Sequence, residues 1–459
     1  MPKTFVIVGA GFSGTVLAAN LLRRPPAGGA DIVLIERSRV MGRGVAYAAH
    51  DFPYLLNVPA ARSSADSRDP LQFLRFAQDR LPNIDGEAFL PRALYGDYLQ
   101  DLLLRAEREA PPNARLIRVR GEVTGIAHAG AGAAPAAEFA DRAPILGDVL
   151  ILALGNPSLP LPRWAEALNG HAAFRQDPRN LPQNLGAEHS VLIVGNGLTM
   201  ADAASVLSRH PERVPTVHTI SRRGLTPKTQ TAFHMAAMRG SGETLLSSAQ
   251  SLRRLLRACR NLAREVEKLG GDWREAITFI RGLAPALWRR LPEAERRRFV
   301  RHVQVHWDTY RHRLPPQLTE RLQNLRRSGK LQVRAGRIEA VVALDPRRLA
   351  VTWRPRGSDA TAQLVVELVV NATGPNYNIE RSTDPLMVSL RAAGLVSPDA
   401  LRLGIHTARY GACVDVHGRA SEHLFYVGPL LRADHLDATA AAELSRHAEQ
   451  LATHLAERG

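Results

Sequence analysis

Cysteine is nearly absent from this chain of 459 residues: Cys259 and Cys413 are the two present, in no CxxC or CxxxxC pair and at no metal-ligand spacing. A flavin disulfide reductase built on a redox cysteine pair is therefore excluded, and no metal site is expected. Long apolar runs are missing too. No stretch reaches the roughly 18 apolar residues of a transmembrane helix. The first apolar run begins at Phe5, which leaves no room for a leader, so a cytoplasmic location is expected. Acidic residues are in deficit: 44 Asp and Glu stand against 60 Lys and Arg, a formal net charge of +16. Aromatic residues make up only 5%, and the arginines are scattered, with local density over 253–313. A nucleic-acid surface is the weaker reading of that excess. An electropositive site for anionic cofactors and substrates explains part of it more economically. Neither nucleic acid nor membrane is expected as a partner; a small-molecule substrate is. The oligomeric state is not legible, and no Ser-His-Asp or paired-carboxylate arrangement stands out.

What is present begins at once. Residues 4–14 read TFVIVGAGFSG, an apolar run followed by Gly9, Gly11 and Gly14. This is G-x-G-x-x-G where a strand turns into a helix. Gly9 permits the turn, Gly11 lets the backbone approach a pyrophosphate, and Gly14 lets the helix pack close to the strand. The helix N-terminus then offers N–H groups and a positive dipole end to phosphate. Val16, Leu17, Leu21 and Leu22 mark the apolar face of that helix, and Pro25 and Pro26 stop it. DIVLI at 31–35 is the next strand, and Glu36 at its end is placed to accept hydrogen bonds from ribose hydroxyls.

The chain then reads as loop over 40–59, helices after Pro70 and Pro91, and short β segments at 115–119 and 121–126. An Ala/Gly/Pro-rich stretch at 129–137 is the expected hairpin tip. The strand DVLILAL, 148–154, leaves through Gly155-Asn156-Pro157, and a hinge is expected between there and Ser190. A second dinucleotide unit follows: VLIV at 191–194, then Gly195 and Gly197, with Met200 at the third motif position. The next strand ends at Ser221, where Arg222 and Arg223 replace the acidic residue of an NAD-specific fold and favour a 2′-phosphate. Residues 228–329 carry helical periodicity, an insertion or lid. Within it Arg301, His302, His306, Arg311, His312 and Arg313 lie on a cationic helix, which either steers an anion or is a solvated basic face. Strands return after 330. One ends at 371–375 as NATGP, with Gly374, and another at 425–429 as FYVGP, with Gly428. The terminal helix spans 438–455.

The expected fold is α/β, with two Rossmann-like dinucleotide-binding domains, the second inserted into the first, and a helical insertion. The expected segments are 1–185 for the first part of an FAD-binding domain, 186–330 for an NAD(P)H-binding domain, and 331–459 for the return part. Two dinucleotide folds without redox cysteines or metal ligands suggest a flavoprotein fed by a nicotinamide, NADPH over NADH, with oxygen as the acceptor.

The motifs GAGFSG (9–14), GRGVAY (42–47), LLNVPA (55–60), FLPRALYGDYL (89–99), VGNGLTMAD (194–202), SRRGLTP (221–227), NATGP and FYVGP occur in a family's order. Together they resemble the FAD/NAD(P)-binding family that includes FAD-dependent urate hydroxylases and aspartate N-monooxygenases. The resemblance covers nearly the whole chain, and GRGVAY with LLNVPA is its family-specific part. It implies a monooxygenase that uses FAD, NAD(P)H and O2 on a small anionic or nitrogen-containing substrate, urate first and amino-acid N-hydroxylation next. A flavin oxidoreductase without oxygen transfer, or a non-catalytic flavin-binding protein, is the alternative. The resemblance further implies that Gly9, Gly11, Gly14 and Glu36 hold the FAD adenosine and pyrophosphate, with Arg43 a phosphate or ribose contact. Tyr47 and Asn57 are the implied neighbours of the flavin ring. Gly195, Gly197, Thr199, Arg222 and Arg223 serve the nicotinamide cofactor.

Overall fold

Apolar runs become strands buried on both faces, as the centre of a parallel sheet requires. In strand β1 (Lys3–Val8), Phe5 and Ile7 enter one core while Val6 and Val8 enter another. The computed structural model describes residues 2–128, 135–159, 161–233, 238 and 240–458. After β1 come α1 (Phe12–Arg23), β2 (Ala30–Glu36), α2 (Gln72–Gln78), α3 (Arg92–Arg108), β3 (Ala114–Arg120), β4 (Val123–His128), β5 (Pro135–Phe139), β6 (Ile145–Leu146) and β7 (Val149–Leu152). The expected hairpin tip falls largely on 129–134, outside the described residues.

Next are β8 (Phe174–Arg175), β9 (Ser190–Val194), α4 (Leu198–Leu207) and β10 (Thr216–Ser221). The helical insertion comprises α5 (Ser241–Ser248), α6 (Leu252–Lys268), α7 (Trp273–Arg290), α8 (Glu293–Arg298), a π turn (Phe299–Val303), α9 (Gln304–Arg311) and α10 (Pro316–Arg327). The chain ends with β11 (Leu331–Asp345), β12 (Arg348–Pro355), β13 (Ala362–Val366), β14 (Leu368–Asn371), α11 (Pro385–Ala392), β15 (Ala412–Val414), β16 (Ala420–Tyr426) and α12 (Ala441–Glu457).

Two large sheets result, one of six strands ordered β15-β16-β7-β1-β2-β3 and one of seven ordered β13-β12-β11-β10-β9-β14-β8. The run from β16 to β3 is parallel, as is the run from β11 to β8. Helices α1, α3 and α12 cover one face of the first sheet through Leu17, Leu21, Leu99, Leu102 and Leu451. Helix α11 and the small sheet β4-β5-β6 cover the other through Leu390, Val123 and Ile126. In the second sheet α4 and α10 pack on one face through Met200, Leu322 and Leu325.

The second dinucleotide unit is inserted into the first, but its limits differ from the expected segments. Strands β11 to β14 belong to the second sheet, so the chain returns after Asn371 and not at 331; β8 belongs there too, although it precedes 186. The reason is hydrogen bonding. Residues 331–335 pair with β10, while the rest of the long β11 runs on into an antiparallel ribbon with β12. Apolar periodicity reports a strand but not its partner.

The insertion has its own core, Leu245, Leu255, Leu262, Ile280 and Trp288, which reaches Leu403 and Leu436 of the return part. Trp288 is 2% exposed and its indole N–H donates to the Ala433 carbonyl at 2.7 Å. Arg281 and Arg311 both reach the buried Asp437, at 3.1 and 2.7 Å. Trp288→Ala is expected to cost about 3–5 kcal/mol. Amide hydrogen exchange should rise across α6 and α7 while β1 and β7 stay protected; uniform loss of protection would contradict this docking.

Candidate functional site

The first glycine loop is held by close approaches. Gly9 has φ +103°, its N–H donates to the Ile35 carbonyl at 2.9 Å, and a Cβ there would lie 2.4 Å from the Ala153 carbonyl oxygen. A Cβ on Gly14 would lie 1.9 Å from the Gly9 carbonyl oxygen. Gly11 caps α1 with no side-chain hydrogen bond, so the first-turn N–H groups have no cap from its side chain. Glu36 is buried at 8% exposure; one carboxylate oxygen accepts from the Ala10 N–H and the other from the Ser38 N–H, both at 2.9 Å. It braces the loop while each oxygen keeps a lone pair for a ribose hydroxyl. This arrangement fits a dinucleotide: turn, open helix end and strand-end carboxylate are all in place.

The GRGVAY loop lies on that turn. The Gly42 N–H donates to the Ala10 carbonyl at 2.8 Å, and a Cβ on Gly11 would meet the Gly44 Cα at 3.5 Å. Arg43 is placed differently from the expected phosphate or ribose contact. Its guanidinium pairs with Asp97 and donates to the Gln100 Oε1 at 3.2 Å and the Ala93 carbonyl at 3.3 Å, all on α3. It clamps the loop to the helix. Gly96 of that helix makes room, since a Cβ there would lie 2.5 Å from the Tyr47 carbonyl oxygen. Tyr47 packs at 4.8 Å from the Tyr95 ring and 6.3 Å from the Phe12 ring, and burial pushes its phenol up to about 12. That is a packing position for the loop. Asn57 is half-buried, and its amide makes no hydrogen bond among the described residues.

The second loop repeats the geometry. Gly195 has φ +119°, and a Cβ there would lie 2.2 Å from the Ala372 carbonyl oxygen. Around Gly197, by contrast, a Cβ meets nothing within 4 Å, so the backbone is open to an approaching phosphate. Gly197 caps α4 without a side-chain bond, Thr199 is half-buried in the first turn, and Met200 is fully buried at the third glycine's position. Arg222 is exposed just past β10. Arg223 is engaged instead, 2.7 Å from the His306 Nε2 and 3.3 Å from the His302 carbonyl oxygen. Gly374 and Gly428 both have positive φ, at the exits of β14 and β16.

Between the loops the two units meet. Arg92, from FLPRALYGDYL, donates to the Leu55 carbonyl at 3.0 Å and pairs with Asp202 of α4 at 2.9 Å. Burial raises the Asp202 carboxyl, and Arg92 opposes that rise. Arg179 pairs with Asp177 at 2.6 Å and reaches the Val45 carbonyl at 3.4 Å. The motifs thus converge on one seam.

Deeper in, the predicted cationic helix divides. Arg301, His302 and His306 are exposed, whereas Arg311 and Arg313 are each 4% exposed. The solvated-face reading therefore holds for one end only. Arg311 pairs with Asp308 at 2.8 Å, and Arg432 lies 3.7 Å from Asp308 and 4.9 Å from the Tyr377 ring centroid. His312, Asp308 and Tyr377 are half-buried beside these arginines. Burial, then Arg311, pushes His312 down to about 3, which keeps its imidazole neutral. No motif singles out Asp308, Tyr377 or Arg432. Position was the available signal: Tyr377 and Arg432 stand two and three residues past the prolines of NATGP and FYVGP. Among the described residues no group of three metal-ligating side chains occurs, and no helix is long and apolar enough to cross a membrane.

Substituting glycines should separate fold from binding. Gly14→Ala is expected to lower stability by about 3 kcal/mol, in the range of overpacked sites, and to yield protein poor in FAD. Gly197→Ala is expected to leave the melting temperature unchanged and weaken nicotinamide-nucleotide binding. Equal melting temperatures for both variants would contradict this.

Residues 6–157 match the model of a family described as FAD-NAD(P)-binding. No curated protein matches the chain. Among solved structures, the chain is similar to the FAD-bound cadaverine monooxygenase of the desferrioxamine pathway from Erwinia amylovora (TM-score 0.67, 14% identity, 100% of this chain and 95% of that one). It is also similar to L-lysine 6-monooxygenase from Pseudomonas syringae (TM-score 0.66, 16% identity, 99% of each chain). A bacillithiol disulfide reductase from Staphylococcus aureus shares the architecture as well (TM-score 0.57, 11% identity, 100% of this chain and 99% of that one). Identities this low show the fold and not the activity. Residues 6–157 are thus similar to the FAD-NAD(P)-binding family, and the chain as a whole has the fold shared by these monooxygenases and the reductase.

Proposed function

We propose that this protein is an FAD-dependent, NADPH- and O2-using monooxygenase that N-hydroxylates a small amino compound, an amino acid before a simple amine. The observation that carries the proposal is one glycine-turn geometry repeated in two units that Arg92 and Asp202 join. FAD belongs to the first loop and NADPH to the second. Cys413 is buried in a core and Cys259 lies in the helical insertion, and both are free thiols, so no dithiol supports reductase chemistry. The comparisons favour N-hydroxylation over urate, because the monooxygenases among the similar structures are named for lysine and cadaverine.

When bound, the cofactors supply hydride transfer and the reductive activation of O2 that delivers one oxygen atom. The chain supplies position and electrostatics. Gly11 and Gly197 admit the pyrophosphates, and Arg92 with Asp202 keeps the two units in register. A nitrogen must be unprotonated to be attacked by oxygen. Nearby cations lower an amine's pKa, and Arg432, beside the Tyr377 ring, is the candidate cation. His312, kept neutral by burial, is the candidate acceptor of a hydrogen bond from the amine.

A panel of aspartate, ornithine, lysine, cadaverine and urate tests the reading, with NADPH consumption, peroxide and hydroxylamine product measured together. An amino acid should accelerate NADPH oxidation, with hydroxylamine formed in place of stoichiometric peroxide. Acceleration by urate alone, or peroxide as the only product with every compound, would overturn it.

A further inference from the structure

The helical insertion places groups beside the second glycine loop that a plain dinucleotide fold does not have. The Gly195 N–H donates to the Ile220 carbonyl at 2.9 Å, so Arg222 and Arg223 stand directly after the segment that seats the loop. His306 comes to Arg223 from α9, with the Arg223 Nη1 2.7 Å from its Nε2. A guanidinium has only donors, so Nε2 accepts and the imidazole proton lies on Nδ1. From a third element comes Arg356, just past β12. Its backbone N–H is fixed to the Ala335 carbonyl at 2.9 Å, and its charge acts on the same imidazole as that of Arg223.

Arg222, Arg356 and His306 are all exposed. Among the described residues no Asp or Glu forms an ion pair with Arg222, Arg223 or Arg356. Nearby arginines of the insertion are paired, Arg297 with Glu293 and Arg298 with Glu295, both at 2.6 Å. Like charges gathered without a counter-charge repel. A cluster built from three separate elements at the end of a nucleotide-binding strand is therefore suited to receive an anion.

We propose that Arg356 and His306 complete, with Arg222 and Arg223, a pocket for the 2′-phosphate of NADPH, so that the insertion and the β11–β12 ribbon share in setting cofactor specificity. This rests on the reading of the second loop as the NADPH site. Arginine forks suit the phosphate monoester. A protonated His306 no longer accepts from Arg223, which leaves that guanidinium free for the phosphate and adds a charge of its own. The charged groups acting on His306 are Arg223 after β10 and Arg356 after β12, and the His302 carbonyl on its own segment accepts from Arg223. With cations on two sides and no carboxylate, binding of a dianion raises the proton affinity of His306, so the share of phosphate affinity that His306 contributes should grow as pH falls from 8 to 6.

The test uses the FAD-loaded full chain and two probes, 2′,5′-ADP and 5′-AMP, with binding followed by calorimetry. Arg356→Ala should weaken 2′,5′-ADP about tenfold, the equivalent of about 1.4 kcal/mol, and leave 5′-AMP unchanged. His306→Gln should weaken 2′,5′-ADP more at pH 6 than at pH 8. If both variants bind 2′,5′-ADP as tightly as the native protein at both pH values, the pocket is formed without them and the inference fails while the NADPH reading stands. If the native protein binds the two probes equally, both fail.

Discussion

Two carbonyl groups packed where no side chain fits organise this molecule. The Ala153 carbonyl lies against Gly9, and the Ala372 carbonyl lies against Gly195. Any other residue at either glycine would meet the oxygen well inside van der Waals distance and would also be strained at its positive φ. Each carbonyl belongs to the residue that leaves a neighbouring parallel strand, β7 beside β1 and β14 beside β9. Those two exits are also where the chain passes between the sheets. The two glycine turns and the crossings between the sheets are therefore fixed by the same contacts, beside the seam that Arg92 and Asp202 bridge.

The helical insertion closes that seam by sorting its charges. Around the π turn and α9, one end of the basic segment faces solvent beside Arg223 and the other is buried beside Asp308 and Asp437. Burying Arg311 is costly unless its donors are met, and it meets two carboxylates from two parts of the chain. Such pairs give little net stability compared with apolar packing, but a wrong docking would leave the charges unpaired. Trp288 and the apolar core supply the adhesion, and the Asp437 contacts fix the register.

Much of the fold was legible because parallel strands and glycine turns have local signatures. The run from Phe5 to Val8, the glycines, the prolines after α1 and Glu36 each mean nearly the same thing in any context. Motif co-occurrence was legible as a pattern but not as a cause. In the folded chain GRGVAY and FLPRALYGDYL occur together because Arg43 grips α3 and Gly96 leaves room for the Tyr47 carbonyl. That Arg43 turns to α3 was not legible, because a loop's route does not say which way a long side chain points. Domain limits were misread because a strand's partner is not written in its own residues.

The sequence alone determined the two glycine turns, their order and the insertion of one unit into the other. Each depends on residue type at short spacing, where local sterics and chain chirality leave few alternatives. Tertiary structure alone decided which arginines are buried in pairs and which are exposed, where the chain returns to its first sheet, and that Asp308, Tyr377 and Arg432 are neighbours. Those are contacts between residues far apart in the chain, set by how helices and sheets pack, and a guanidinium looks the same in the sequence whether a carboxylate or solvent awaits it.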